Sequence, residues 1–196
     1  MEKNRLEAFS DGVLAIIITI MVLELKVPHE DGLAALVPLW PVFSSYVLSF
    51  IYVGIYWSNH HHMMQAANHV NGAVLWSNLH LLFWLSLLPF TTGWMGENHF
   101  ARWPTFVYGL NLMACALAYN VLQTCLVRLH GRSSLLVKAI GRDIKGKSSP
   151  VLYVLGFTAT WLAPPWVGLL FFVGVALMWL MPDRRIERVF AAGPDK

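Results

Sequence analysis

Three consecutive histidines, His60, His61 and His62, are the most prominent group of side chains with a capacity for chemistry. Neighbouring residues on a helix point about 100° apart, so the three rings cannot all bind one tetrahedral metal ion. No acid or cysteine lies close to them in sequence. We therefore expect no tightly bound metal, and we expect one or two of these rings to face inward and pair with Asp11 or Arg5. Histidine is also the side chain best suited to sensing physiological pH.

The sequence carries no signature of an enzyme or of a cofactor site. It has no Ser-His-Asp spacing, no Gly-rich phosphate loop and no paired carboxylates within an apolar segment. Nothing specific supports a haem held by His61 and His80. Cys115 and Cys125, the two cysteines, would lie about 15 Å apart on one helix, too far for a disulfide. We expect no catalytic residues and no cofactor.

The composition indicates that these side chains belong to an integral membrane protein. Hydrophobic residues make up 57% of the 196 residues and charged residues only 13%, against about 25% in a soluble domain. The mean hydropathy of +0.54 agrees. These values argue against a soluble enzyme, a nucleic-acid-binding protein and a disordered chain.

Apolar segments long enough to cross a bilayer predict a single all-α unit over residues 1–196. The last apolar stretch, residues 148–182, would be about 52 Å long as one helix, whereas the hydrocarbon core is about 30 Å thick. Pro164 and Pro165 break this stretch, which predicts two shorter helices joined by a tight turn. The six predicted transmembrane helices cover approximately residues 6–25, 37–59, 70–95, 103–127, 149–163 and 165–181.

The basic residues predict the orientation of these spans. If the N-terminus is cytoplasmic, only Lys26 and Arg102 of the 14 Lys and Arg residues lie outside. The others fall in the N-terminus, in the loop between the fourth and fifth spans and in the C-terminal tail. By the positive-inside rule, both termini are expected in the cytoplasm.

The first span combines charged residues with an apolar stripe. At about 100° per residue, a sector of about 100° contains Ile16, Thr19, Ile20 and Leu23. Asp11 points about 140° away from Ile16, and it either lies at headgroup level or faces the bundle interior. The stripe suits either ordinary helix packing or a symmetry axis. If it faces an axis, Asp11 must find a buried partner within its own bundle, because an unpaired carboxylate is costly there.

Three landmarks resemble one known family when they are taken together. The family is transmembrane protein 175, which comprises lysosomal potassium channels and their bacterial homologues. The resemblance covers the whole chain, and a single six-span unit is similar to the bacterial members. In sequence order the landmarks are Arg5-x-x-x-Phe9-Ser10-Asp11, then Trp57-Ser58-Asn59-His60-His61, then Leu75-Trp76-Ser77-Asn78-Leu79 leading to Leu87-Leu88-Pro89-Phe90-Thr91.

The resemblance implies a homotetramer in the bacterial inner membrane, with the first helices lining a central pore. By position after the Phe9-Ser10-Asp11 motif, the constriction layers fall on Ile16, then Thr19 or Ile20, then Leu23. The resemblance also implies a polar network that joins Arg5, Asp11 and either His60 or His61. The implied partners are permeant K⁺, the lipid bilayer and further copies of the chain, with no nucleic acid.

Ion selection by this chain is expected to differ from that of ordinary potassium channels. The chain lacks their Thr-Val-Gly-Tyr-Gly loop, so no ring of carbonyl groups replaces the water around an ion. A narrow apolar neck would instead force partial dehydration, which favours K⁺ over Na⁺ modestly and permits gating by dewetting. The alternative is a proton-conducting channel or a proton-coupled carrier that uses Asp11 and the histidines of the second span.

Overall fold

The computed structural model describes residues 3–131 and 144–180, and all regular secondary structure in these ranges is helical. We call the end of the bundle where α1 begins and α2 ends the proximal end, and the opposite end the distal end. In chain order the helices are α1 (Asn4–Leu23), a 3-10 helix (Leu33–Leu39), α2 (Trp40–Gln65), α3 (Gly72–Ser86), α4 (Leu88–Glu97), α5 (Arg102–His130), α6 (Ile144–Leu162) and α7 (Pro165–Leu180).

One face of α1 forms the contact with the rest of the chain. Its buried residues recur every three or four positions, which is the helical period, and they pack against α2, α3 and α4. The opposite face of α1 is exposed. The buried residues are Leu6, Ser10, Leu14, Ile17 and Met21.

The third predicted span consists of two helices. Its apolar run continues unbroken in sequence, but α3 ends at Ser86 and α4 begins at Leu88. Pro89 explains the break, because proline has no N–H to donate to the carbonyl of Leu85. At the junction the N–H of Leu87 points to the carbonyls of both Trp84 and Leu85, so the Leu85 carbonyl keeps a local contact.

Helices α5, α6 and α7 form the second half of the bundle, packed around Phe172. This ring is fully buried, and it occupies the space where a Cβ would stand on Gly109 or Gly156. Glycine at these two positions therefore allows the helices to approach closely. The chain turns back between α6 and α7, where Pro164 lies in the turn and Pro165 is the first residue of α7.

Within the described ranges, four helical stretches are long and apolar enough to cross a membrane, namely 4–23, 33–65, 72–97 and 102–130. Helix α7 is a shorter apolar helix. The outer surface carries large apolar side chains such as Trp76, Phe90 and Leu162, which suit contact with lipid better than contact with water. Most of the basic residues that predict the orientation lie in 132–143 and 181–196, outside the described residues.

Candidate functional site

A ladder of side-chain contacts fastens the start of α1 to the end of α2. Lys3 Nζ donates to a main-chain carbonyl at the end of α2 at 2.9 Å. One turn further along α1, Glu7 Oε1 lies 3.0 Å from His61 Nδ1. After another turn, Asp11 Oδ1 accepts from Trp57 Nε1 at 3.1 Å. The contacts recur every four residues on α1 and, at Met64, His61 and Trp57, every three or four residues on α2, so one face of α1 is aligned with one face of α2.

His61 stands at the centre of this ladder and uses both ring nitrogens. Its Nε2 lies 2.8 Å from the amide nitrogen of Gln65, and its ring stacks on Trp57 with an interplanar angle of 16°. Because the Gln65 amide donates and the Glu7 carboxylate accepts, the neutral ring carries its proton on Nδ1. Protonation would add a hydrogen that faces the Gln65 amino group, so the Gln65 amide would have to turn.

A second, buried layer joins α1 to both α2 and α3. Asn78 Nδ2 donates to Ser10 Oγ at 2.9 Å, and Asn78 Oδ1 lies 2.8 Å from His60 Nε2. Ser10 Oγ in turn donates to Leu6 O at 2.8 Å. His60 is only 2% exposed, and its Nδ1 has no hydrogen-bond partner among the described residues. Asn78 is therefore the link between three helices, and it fixes the His60 ring with its proton on Nε2.

The residues predicted to form the stripe of α1 all lie on its exposed face. Ile16 is 58% exposed and Leu23 is 80% exposed, while Thr19 and Ile20 are exposed as well. Phe9 lies on the same face, nearer the proximal end. Within the single chain, this stripe is turned away from the polar contacts that fasten the helix.

The polar network differs from the expected one in its pairings. His60 and His61 both take part, but in separate contacts with Asn78 and Glu7. Asp11 pairs with Trp57, and the structure brings neither Asp11 nor Arg5 into a hydrogen bond with a histidine within the described residues. The side chain of Arg5 is exposed.

The polar network expected from the sequence did not include Lys3, Glu7, Trp57 or Asn78, although Trp57 and Asn78 stand in the landmarks of the family resemblance. A signal was present for Glu7 and Trp57, because positions 7 and 11 of α1 and positions 57 and 61 of α2 share a four-residue spacing. Two antiparallel helices with matching spacing present their side chains to each other along one line. Asn78 carried no such signal, since its role depends on how α3 packs against both helices.

The distal end of α1 is followed by a charged pair on the surface. Lys26 Nζ donates to Glu97 Oε1 at 2.8 Å, and both side chains are largely exposed. The hydrogen bond and the negative charge of Glu97 raise the pKa of Lys26 above its usual value of 10.5. The side chain of Glu24 lies beside Gly93 of α4.

These features define an all-helical, multi-pass membrane protein in which one face of the first helix is fastened by polar contacts and the opposite, apolar face is uncovered. The described residues hold no cluster of three or more His, Cys, Asp or Glu side chains suited to a metal ion. The buried polar side chains of the site contact one another across helices, as polar groups in membrane proteins commonly do.

Comparison with known proteins identifies the family. The family model described as endosomal/lysosomal potassium channel TMEM175 matches residues 5–89. A potassium channel of Chryseobacterium sp. (strain P1-3) is 54% identical over 188 residues, which are 96% of this chain and 97% of that protein. The chain therefore belongs to the TMEM175 family, a family of ion channels and not of enzymes.

A solved structure and a vertebrate relative extend the comparison. The crystal structure of a homologue of the lysosomal potassium-selective channel TMEM175, from Chamaesiphon minutus, matches this chain with a TM-score of 0.79 and 30% identity. The match covers 94% of this chain and 98% of that one. The endosomal/lysosomal proton channel TMEM175 of Danio rerio is 26% identical to this chain, and the match covers 67% of this chain and 25% of that protein.

Proposed function

We propose that this protein is a potassium-permeable cation channel in which α1 from four copies of the chain lines a central pore. The uncovered apolar stripe of α1 carries this proposal, because it is presented by a helix whose other face is fastened at its proximal end to its own bundle. A helix held in this way offers one defined surface to a symmetry axis. The bacterial relatives named as potassium channels support K⁺ as the permeant ion.

The proposed topology has six spans, formed by α1, by the 3-10 helix with α2, by α3 with α4, and by α5, α6 and α7. The distribution of Lys and Arg in the sequence supports cytoplasmic termini and a cytoplasmic proximal end in the bacterial inner membrane. The ladder between α1 and α2 would then lie at the cytoplasmic mouth of the pore.

The proposed constriction extends from Ile16 to Leu23, with Thr19 or Ile20 as its middle layer. At 1.5 Å per residue, these layers would cover about 10 Å of the pore. Thr19 Oγ1 donates to Ile16 O at 2.9 Å, so its oxygen keeps a lone pair that could replace part of the water around a passing ion. The apolar layers would admit K⁺ more readily than Na⁺, because K⁺ loses its water at a lower free-energy cost.

The motif residues have a positioning role in this proposal. Ser10 and Asp11 contact α3 and α2, and His60 and His61 complete those contacts. They would keep the stripe of α1 facing the axis. Arg5 and Phe9 lie on the exposed side of α1, where they would meet neighbouring copies or the pore mouth.

Reconstituted cation flux tests the proposal. Liposomes that contain the purified protein should pass K⁺ down its gradient, with a larger flux for K⁺ than for Na⁺. Ile16→Ala and Leu23→Ala should each widen the neck and lower the ratio of K⁺ to Na⁺ flux. Leu170→Ala is the matched control, since Leu170 is an equally exposed apolar residue on α7. Unchanged flux and ion preference in both α1 variants would exclude α1 as the pore helix.

The second candidate function is proton conduction or proton-coupled transport, which the Glu7–His61 pair and Asp11 at the proximal end favour. The vertebrate relatives named as proton channels add support. This function requires a pH gradient to drive flux and predicts that Asp11→Asn abolishes the flux. Flux of K⁺ that persists without a pH gradient, and that does not saturate, favours the simple channel.

A further inference from the structure

A histidine at the end of α5 contacts the α2–α3 connection, which consists of residues 66–71. His130 Nε2 accepts from the main-chain N–H of Asn68 at 3.0 Å and lies 3.5 Å from the main-chain nitrogen of His69. The other ring nitrogen, Nδ1, lies 3.0 Å from Leu126 O, one turn back on α5. Both nitrogens of this ring are therefore used, one within α5 and one by the connection.

These contacts of His130 require a neutral ring. A main-chain N–H can only donate, so Nε2 must present its lone pair to Asn68. The proton of the neutral ring is then on Nδ1, where it donates to Leu126 O. A protonated ring carries a hydrogen on both nitrogens, and it would point the second one at the N–H of Asn68. Two donors cannot bond to each other, so protonation breaks this contact.

The positions of the two partners indicate which of them moves when the contact breaks. The last carbonyls of α5 favour a positive charge beside them, and Nδ1 can donate to Leu126 O whether the ring is neutral or charged. Asn68 and His69 are exposed, whereas Ala67 and Val70 on either side of them are buried. Asn68 and His69 can therefore move into water while their neighbours hold the connection at both ends.

The ring of His69 adds to the same effect. It lies beside the ring of His130, with ring centroids 4.8 Å apart. When both rings are protonated, two positive charges lie side by side and repel each other. Histidine is the side chain that changes its charge between about pH 5 and 8, so mild acid acts on both sides of this contact.

The surroundings provide no counter-charge for a protonated His130. No hydrogen bond or ion pair within the described residues joins an acid to this ring, and α3 has no titratable side chain before His80. The acids at the proximal end, Glu7 and Asp11, contact α2 instead. Every other charged or titratable side chain described at this end is positive when charged. These side chains are Lys3, Arg5, His61, His62, Arg128, Lys145 and Lys147.

We propose that His130 is a proton-operated latch on the α2–α3 connection, closed when its ring is neutral and open when its ring is protonated. In the open state Asn68 and His69 leave α5, and the two donors bond to water. The connection joins the two helices to which α1 is fastened, so opening the latch changes how these helices are held against α5. The latch is a contact within one chain and does not depend on the proposed function.

Hydrogen–deuterium exchange of the full chain in lipid nanodiscs tests the proposal, with mass spectrometry of peptides that contain Asn68 and His69. Each exchange rate is divided by that of the same residues in a short free peptide, which removes the intrinsic effect of pH. Because the proton binds to the open state and not to the closed one, the normalised rate should rise at least about tenfold from pH 8 to pH 5. An unchanged normalised rate would overturn the proposal.

Substitutions at His130 show whether its charge opens the latch. His130→Gln keeps a neutral acceptor and should still exchange slowly at pH 5, whereas His130→Lys has only donors and should exchange fast at pH 8. His62→Gln is the matched control, because the His62 ring lies at the same end and makes no hydrogen bond with the described residues. It should show the same rise as the unmodified chain. A rise in His130→Gln equal to that of the unmodified chain would exclude His130 as the latch.

A variant of the connection keeps the test decisive if the substitutions at His130 prevent folding. His69→Gln removes one of the two charges but leaves the main-chain N–H groups that contact His130. The normalised exchange rate in this variant should still rise several-fold between pH 8 and pH 5. Complete loss of the rise in His69→Gln would contradict the assignment of the latch to His130.

Discussion

Replacing Asn78 with alanine tests whether buried hydrogen bonds hold α1 in position. The amide of Asn78 donates to Ser10 and accepts from His60, so one substitution removes the contacts of α3 with both α1 and α2. Ser10, His60 and Asn78 are all almost fully buried. Water therefore has little access to the groups that lose their partner.

The expected loss of stability lies between two physical limits. Interhelical hydrogen bonds in membrane proteins contribute about 0.6 kcal/mol each on average, so two bonds give about 1.2 kcal/mol. The substitution also leaves His60 Nε2 buried without a partner, which costs about a further 1–3 kcal/mol, whereas Ser10 Oγ keeps its bond to Leu6 O. We expect Asn78→Ala to lower the free energy of unfolding by about 2–4 kcal/mol.

Unfolding in mixed micelles, followed by circular dichroism as the SDS fraction increases, measures this change. Asn98→Ala is the matched control, because among the described residues the side-chain amide of Asn98 donates only to Trp94 O, at the exposed end of α4. That variant should stay within about 0.5 kcal/mol of the unmodified chain. Equal midpoints for Asn78→Ala and Asn98→Ala would show that the buried layer does not stabilise the fold, and our reasoning about α1 would fail with it.

Two further predictions concern close packing and the surface. Gly109→Ala should destabilise the chain by about 1–3 kcal/mol in the same micelle assay, because the new methyl group overlaps Phe172. Gly54→Ala is the control: its new methyl group has no neighbouring side chain within 4 Å, so it should not destabilise the chain. Since Glu97 raises the pKa of Lys26 above 10.5, any stabilisation from their pair is fully present below that pH and is lost as the pH rises through the folded-state pKa. Between pH 6 and 9 the pair should therefore contribute no pH dependence, and thermal stability should vary with pH in the same way in Lys26→Met as in the unmodified chain. A pH dependence that is present in the unmodified chain and absent in Lys26→Met would contradict this.

Because each residue turns a helix by a fixed angle, the sequence alone predicts that Ile16 and Leu23 share one face of α1. It also predicted a turn at Pro164 and Pro165, where proline chemistry acts locally. Pro89 is a comparable signal, but the apolar run that surrounds it hides the break between α3 and α4. The difference shows that hydropathy locates a membrane segment without showing whether it is one helix.

The partners of the polar side chains could not be predicted in the same way. Asp11 pairs with Trp57 because the indole of one helix reaches the carboxylate of the other, and that distance depends on how deeply α1 packs against α2. Likewise, His60 and His61 are neighbours in sequence but face different helices. A sequence pattern can show that a buried acid needs a partner, whereas the packed helices decide which donor is close enough.

Exposure alone does not distinguish a pore-facing stripe from a lipid-facing one, because lipid tails are as apolar as leucine. The composition of the exposed face is a second criterion. Helix α7 has no hydroxyl or charged side chain along its whole length, as expected of a helix in contact with lipid. The exposed face of α1 instead includes the hydroxyl of Thr19. A hydroxyl gains from contact with water or ions, and this difference from α7 supports our proposal that this face of α1 turns towards a symmetry axis.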